Sequence, residues 1–383
     1  MNNKDFERSV GFHESASGMP HVRKSMNPAT PTPATPSPAA LNRTAPATLE
    51  DIASKAGVSV GTVSRVLNGK NKENRPAIAR RSEKIRRIAL QLGYRPNVAA
   101  RSMLRGNFRA VAFVTCGDLG NDWYPISALN SIHATLDLSQ WRLMFNELPA
   151  AKIGNPRLVP NLFRETSVDG LIINLLPAFS EELVDYFEAQ PLPCVWLNLK
   201  RAHGAVYPNE VQGAELATRH LIQRGHGRIG YFSRLFASPA HYSVLDRYAG
   251  YSAAMKAAHL PSGSHLQLLG NREEAGMPSL TMDRAQHFLR TFPDLQAVVC
   301  YEYEEAVCLT VAAERIGRKV PDSLEIVGFH EREIRANSGL SIPTAIIPFY
   351  DMGTHAVKLL REMIDTGSRD VPSVAVPFKS ILI

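Results

Sequence analysis

A run of short polar side chains ending in an arginine, Ser59-Val-Gly-Thr-Val-Ser-Arg65, carries the clearest chemistry in this 383-residue sequence. Ser59, Thr62 and Ser64 are hydroxyl donors short enough to meet phosphate oxygens from the start of a helix. Val60 can touch a thymine methyl and Gly61 permits close approach. Arg65, one turn on, has the planar fork that pairs with guanine O6 and N7. Thirteen Lys and Arg against four Asp and Glu fall in residues 48–106, whereas the residues after 106 are net acidic. Such a split points to one basic module that meets a polyanion, joined to a body that does not.

The other chemistry-bearing residues do not assemble into a site. Gly225-His-Gly-Arg-Ile-Gly230 has the spacing of a dinucleotide fingerprint but precedes a strand, so its glycines cannot present a helix start to a pyrophosphate. His220, His226 and His330 come from separate segments without zinc-ligand spacing. Cys116, Cys194, Cys300 and Cys308 show neither disulfide-framework density nor CxxC pairs and read as reduced core thiols. No GxSxG, kinase or Walker signature occurs. The expectation is therefore no metal, no cofactor and no enzyme. No segment approaches the roughly 18 uninterrupted apolar residues of a membrane span, and the first residues lack a secretory leader. A soluble, cytoplasmic chain with no membrane partner is expected.

The elements that must position the polar run are legible locally. Residues 1–47, rich in Pro, Ala, Thr and Ser, predict a disordered tail. Thr48-Leu-Glu-Asp51 fits a capping box that starts a helix reaching about Ala56. Gly57 permits the left-handed turn after it, and Ser59 caps a second helix over 60–67 that Asn68-Gly69 stops. Two short helices joined by a tight glycine turn make a helix-turn-helix. Ile85, Ile88, Ala89 and Leu92 line one face of a third helix whose other face is Arg80, Arg81, Lys84, Arg86 and Arg87. A short run over 98–105 allows two helical turns that need a partner. From residue 109 onward, strand-length apolar runs at 110–115, 142–145, 170–174, 194–197, 228–232, 297–300 and 325–329 alternate with helices such as 211–223, 285–291, 306–315 and 351–364. That alternation predicts βαβ units, divided between two α/β lobes because about 275 residues exceed one comfortable core.

The stretch Thr48 to Gly69, followed by Leu92-Gly-Tyr-Arg-Pro-Asn97 and Ala99-Ala-Arg-Ser102, closely resembles the head of the lactose repressor (LacI/GalR) family. Weaker resemblance continues at 168–173, 217–226, 247–251 and 320–329. It implies an all-α helix-turn-helix head (48–96), a hinge helix (97–106) and a two-lobed, periplasmic-binding-protein-like α/β body (107–383). It also implies a homodimer, with pairing into tetramers left open, on double-stranded operator DNA. The DNA-contacting set would be Thr48, Ser59, Val60, Gly61, Thr62, Ser64, Arg65, Asn68, Tyr94, Asn97, Ala100 and Met103. Met103 stands where the family wedges a leucine between base pairs. Residues 70–77 are several longer than is usual before the third helix.

For a small, sugar-like effector between the lobes, the resemblance implies Trp123, Tyr124, Asn174, Asn198, Arg247, Tyr303 and His330. Trp123 and Tyr124 are equally readable as core aromatics, and Arg247 as a salt-bridge partner. Several positions depart from the family's sugar-binding pattern. Glu302-Tyr303 replaces an Asn-Asp pair, His330-Glu331 replaces acidic pairs, Pro208 replaces an Asp, and Asn198-Leu199 replaces Asp-Arg. Three readings compete: a ligand-controlled regulator, a DNA binder whose body only dimerises, and an enzyme or solute receptor on the same scaffold.

Overall fold

The computed structural model describes residues 46–68, 75–97, 102, 106–117, 125–149, 167–174, 181–233, 241–262, 282–331 and 341–382. The chain divides into two compact units, Met1–Asn97 and Val98–Ile383. Almost all of the Pro-rich tail and of the hinge segment lies outside the described residues, as do Ala100, Met103, Trp123 and Tyr124.

The first unit has three helices, α1 (Leu49–Ala56), α2 (Val60–Leu67) and α3 (Pro76–Gln91). Thr48 and Asp51 close the expected capping box around the start of α1. Gly57 ends that helix at φ 69°, a conformation that any side chain would strain. Ser59 caps α2 by accepting from the Thr62 amide. Pro76, at the first position of α3, sits where its missing N–H is not needed. Eight-residue helices are too short to persist alone, so packing must hold them. Ile52, Val63 and Ile85 are fully buried at the meeting of the three helices, each contributing about 1.5 to 3 kcal/mol.

In the second unit the chain runs from β1 (Ala110–Gly117) through α4 (Ile126–Leu138), β2 (Arg142–Pro149), β3 (Gly170–Asn174), α5 (Glu181–Glu188), β4 (Cys194–Leu197) and β5 (Ala205–Pro208). It continues through α6 (Glu210–Gln223), β6 (Ile229–Phe232), α7 (Tyr242–Ala257), α8 (Met282–Thr291), β7 (Ala297–Cys300), α9 (Tyr303–Arg315), β8 (Glu325–His330) and β9 (Thr344–Ile346). The last elements are α10 (Phe349–Thr366), β10 (Val374–Val376) and β11 (Ile381–Leu382). One sheet has the order β10-β5-β4-β3-β1-β2 and the other β11-β9-β8-β7-β6. Every pairing is parallel except β11 with β9.

Continuous apolar runs make these strands because helices cover both faces of each sheet; every residue of β3, β4, β6 and β7 is buried. The chain passes between the sheets three times, at 208–210, 346–349 and 376–381. The first passage delivers α6 to the second lobe, where it packs on α7. That contact is close enough to require Gly250, since a Cβ there would stand 2.1 Å from the Val211 carbonyl oxygen. The second passage returns α10 to the first lobe, along α4 and over β3, β4 and β5.

Against the expectation of seven strands, the structure adds β5, β9, β10 and β11, extends β2 to Pro149 and starts β6 at Ile229. The added strands have four residues or fewer and are defined by pairing with distant partners rather than by a hydrophobic run.

Candidate nucleic-acid interface and interlobe cleft

On the head, the polar run becomes the first turn and outer face of α2. Ser59, Val60, Gly61 and Arg65 are exposed, Thr62 and Ser64 half-buried. Val60 keeps 37% of its surface in solvent although it is apolar. Ser59 Oγ accepts from the Thr62 amide at 3.3 Å and shares a hydrogen bond with Thr62 Oγ1 at 2.9 Å, so the two hydroxyls stand side by side at the positive end of the helix. Arg65 Nε donates to the Gly61 carbonyl at 3.3 Å, which steadies the stem. Its two Nη groups have no hydrogen-bond or ion-pair partner among the described residues. Asn68 Nδ2 donates to Ser64 Oγ at 3.2 Å at the far end of α2.

Thr48 sits at the start of α1, where its amide donates to Asp51 Oδ2 at 2.9 Å. Tyr94 packs half-buried on the three-helix core, and Asn97 is exposed at the edge of the unit. Lys84, read from sequence only as part of a basic face, donates to the Ala56 carbonyl at 3.3 Å and so clips α3 to the end of α1. Arg80, Arg81, Arg86 and Arg87 remain exposed.

In the body, the candidate residues collect where the strands end at their carboxyl sides, the usual ligand end of a parallel sheet. Asn174 ends β3 at 1% exposure, and its Oδ1 has no hydrogen-bond partner among the described residues. Asn198 follows β4 with φ 61° and 4% exposure. Tyr303 opens α9, with its hydroxyl also unpartnered among the described residues, and its ring meets that of His330, at the end of β8, edge-on at 5.6 Å.

Arg247 is 4% exposed, and its fork is already closed on the chain's own Glu210. Nε donates to Oε2 at 2.6 Å and Nη2 to Oε1 at 2.9 Å. Nη1 donates to the Tyr301 carbonyl, and the guanidinium lies between the Tyr301 and Phe329 rings, 4.6 and 4.3 Å from their centroids. Burial penalises the Arg247 charge, but Glu210 outweighs that and holds the guanidinium above its ordinary range. Burial in turn pushes the Glu210 carboxyl up, opposed by Arg247. The fork is therefore occupied within one lobe.

Four contacts among the described residues span the cleft between the lobes. His241 Nε2 lies 2.9 Å from the Asn198 carbonyl, and Tyr242 Oη donates to Asn198 Oδ1 at 3.1 Å. Lys200 Nζ meets Asp246 Oδ2 at 2.6 Å, and the Ser127 amide donates to Glu331 Oε2 at 3.3 Å. Sequence reasoning missed His241 and Tyr242. The left-handed backbone that aims Asn198 at them has no signal beyond asparagine's tolerance for it.

Of the three histidines, His220 and His226 converge on the buried Glu325, with Nε2 atoms 3.8 and 2.7 Å from its carboxylate oxygens, alongside Arg224. His330 stands apart from them. No group of three or more His, Cys, Asp or Glu able to hold a metal occurs among the described residues. Gly225 closes α6 at φ 91° and Gly230 lies inside β6, so the dinucleotide-like spacing falls before and within a strand. No helix among the described residues is long and apolar enough to cross a membrane.

Residues 48–97 match the family described as bacterial regulatory proteins, lacI family, and residues 218–381 match a periplasmic binding protein-like domain. The HTH-type transcriptional regulator RegA of Clostridium saccharobutylicum is 25% identical over 331 residues, 85% of this chain and 95% of its own. Catabolite control protein A of Staphylococcus epidermidis is 26% identical over 339 residues, 87% and 97%. Among solved structures, the lac repressor dimer bound to operator and the anti-inducer ONPF is 20% identical with a TM-score of 0.67, over 88% of this chain and 98% of that one. A CelR–cellobiose complex is 22% identical with a TM-score of 0.57, at the same coverage. These structures share the architecture of a helix-turn-helix head with a two-lobed α/β body. Residues 48–97 thus form a lacI-family DNA-binding head and residues 218–381 part of a periplasmic-binding-protein-like body, the make-up of a DNA-binding transcriptional regulator.

Proposed function

We propose that the protein is a repressor that acts in the cytoplasm as a homodimer on a pseudo-palindromic operator, with a small, sugar-like effector held between its lobes. The observation that carries the reading is the exposed start of α2, where two hydroxyls, a solvated valine and an arginine fork stand together on a buried three-helix core. A helix presented in that way fits a major groove, with Ser59, Thr62 and Ser64 on phosphates and Val60 and Arg65 on base edges. Thr48, Asn68, Tyr94 and Asn97 fit supporting contacts to the backbone. Ala100 and Met103 belong to the proposed hinge, with Met103 as the minor-groove wedge.

The effector proposal draws on two relatives by fold, CelR in complex with cellobiose and the lac repressor bound to the anti-inducer ONPF. The unpartnered Asn174 Oδ1 and Tyr303 hydroxyl, each at a strand's carboxyl end, support it. Trp123, Tyr124 and His330 complete the proposed lining. A ligand alters DNA affinity only by its difference in affinity for the two lobe arrangements.

The test is selection of genomic DNA fragments by the purified full-length protein in dilute buffer, followed by titration of the enriched fragments against random competitor. Enrichment of sequences with two inverted half-sites is expected. Retention of every fragment with equal strength would overturn the reading.

A further inference from the structure

Five buried or half-buried polar groups connect the first crossover to the opposite lobe, and their chemistry allows only one direction of donation. The Asn198 carbonyl can only accept, so His241 Nε2 carries the proton that bridges their 2.9 Å gap. In a neutral ring, Nδ1 is then an acceptor, and Ser243 offers it both its hydroxyl at 2.7 Å and its amide at 3.4 Å. With the Ser243 proton used, the Tyr301 hydroxyl must donate to Ser243 Oγ, 2.6 Å away. The Tyr301 backbone is fixed in turn by Arg247, whose fork is closed on Glu210, the first residue of α6 after the 208–210 passage. At the receiving end Tyr242 grips the same asparagine through Oδ1.

We propose that Glu210, Arg247, Tyr301, Ser243 and His241 act as a positioning relay that ties the hinge passage of one lobe to Asn198 of the other, so that this protein's own side chains set how its lobes close. The inference rests on the reading of the cleft as the seat of a switch. Glu210 to Tyr301 belong to the second lobe and Asn198 to the first. Opening the lobes would strip a half-buried imidazole N–H and the carbonyl of the buried Asn198 of their partners, which costs more than losing an exposed contact. The Lys200–Asp246 and Ser127–Glu331 contacts, individually weak, lie across the same opening and would part together with it.

The test is hydrogen–deuterium exchange on the full-length protein without added ligand, comparing Tyr301→Phe and Tyr242→Phe with the parent. Tyr301→Phe cuts the relay in its middle and leaves both groups that touch Asn198 in place. The relay predicts that amides of residues 126–131 and 198–200, on the opposite lobe, exchange at least about fivefold faster, with β1 and β3 unchanged. An increase confined to residues 241–247 and 299–303 would overturn it, because that is what local loosening alone produces. Should Tyr301→Phe lose its fold, Tyr242→Phe, which deletes a single hydroxyl, must still raise exchange at 126–131, and no rise there equally defeats the proposal. DNA binding is not the readout, so failure of the relay and failure of the regulator reading appear in separate measurements.

Discussion

The head and the cleft hold their polar side chains in opposite ways. On α2 the hydroxyls of Ser59, Thr62 and Ser64 are exposed or half-buried over a small apolar core and bonded only to groups of the same short segment, while the Arg65 fork stands in solvent. In the cleft the comparable groups, an arginine fork, a histidine, two tyrosine hydroxyls and an asparagine, are buried or half-buried and mostly bonded to one another. Exposed donors suit a polyanion whose affinity comes from many weak, salt-sensitive contacts. Interlocked donors suit a device whose parts move together, because each broken link leaves a buried group without a partner. A substitution on the head should therefore change DNA affinity and leave stability nearly intact, whereas one in the cleft should change stability first.

The largest effect that would break this contrast is at Arg247. Arg247→Ala strands the carboxylate of Glu210 in an apolar setting, and a loss of about 3 to 5 kcal/mol of folding stability is expected in urea denaturation of the full chain. Glu210→Gln combined with Arg247→Met should recover most of it, since no buried charge is then left alone. A single-variant loss below about 1 kcal/mol would show that the pair is not interlocked.

Next in size is the acid limb of stability. Burial, aided by the positive charge of Arg247 and opposed by the Asn198 carbonyl and Asp246, pushes the His241 imidazole down from 6.5 to about 4. As pH falls the unfolded chain takes up this proton first. The contribution is therefore complete above about pH 6.5 and is lost progressively towards pH 4, at most about 3 kcal/mol in all. His241→Gln, which keeps a donor near the Asn198 carbonyl, should flatten the stability profile relative to the parent between those limits. Parallel profiles would mean that the ring titrates freely.

The smallest effect sharpens the other side of the contrast. Arg65→Ala should weaken binding to a selected fragment by about 1 to 3 kcal/mol and relax preference at one base pair, with the melting temperature almost unmoved. Unchanged discrimination among fragments would remove Arg65 from base readout.

The same contrast explains what the sequence disclosed. Helices α1 and α2 were legible to the residue because their ends are written in neighbours: Thr48 with Asp51, Gly57, Ser59 and Asn68. Strands β3, β4 and β7 were legible as unbroken apolar runs buried on both faces. Strand β10 was not, because Val374–Val376 becomes a strand only by pairing with Val206–Pro208, far back in the chain. The cleft was half legible. Arg247 stood out by residue type, but its role depends on Glu210, 37 positions earlier, and Asn198 depends on a left-handed backbone and on His241, 43 positions later. Local chemistry marks residues that face outward, whereas a residue whose partners come from other elements is defined only once the fold brings them together.

Because the polypeptide threads from one sheet to the other and back at 208–210, 346–349 and 376–381, neither lobe is a continuous stretch of gene. A protein truncated after β9 would keep the second sheet nearly whole yet strip the first of its edge strand and of the long helix laid against β3, β4 and β5. Nonsense mutations in the final tenth of the reading frame should thus unmake the opposite half of the body, and no single cut can release either lobe as an independent fragment.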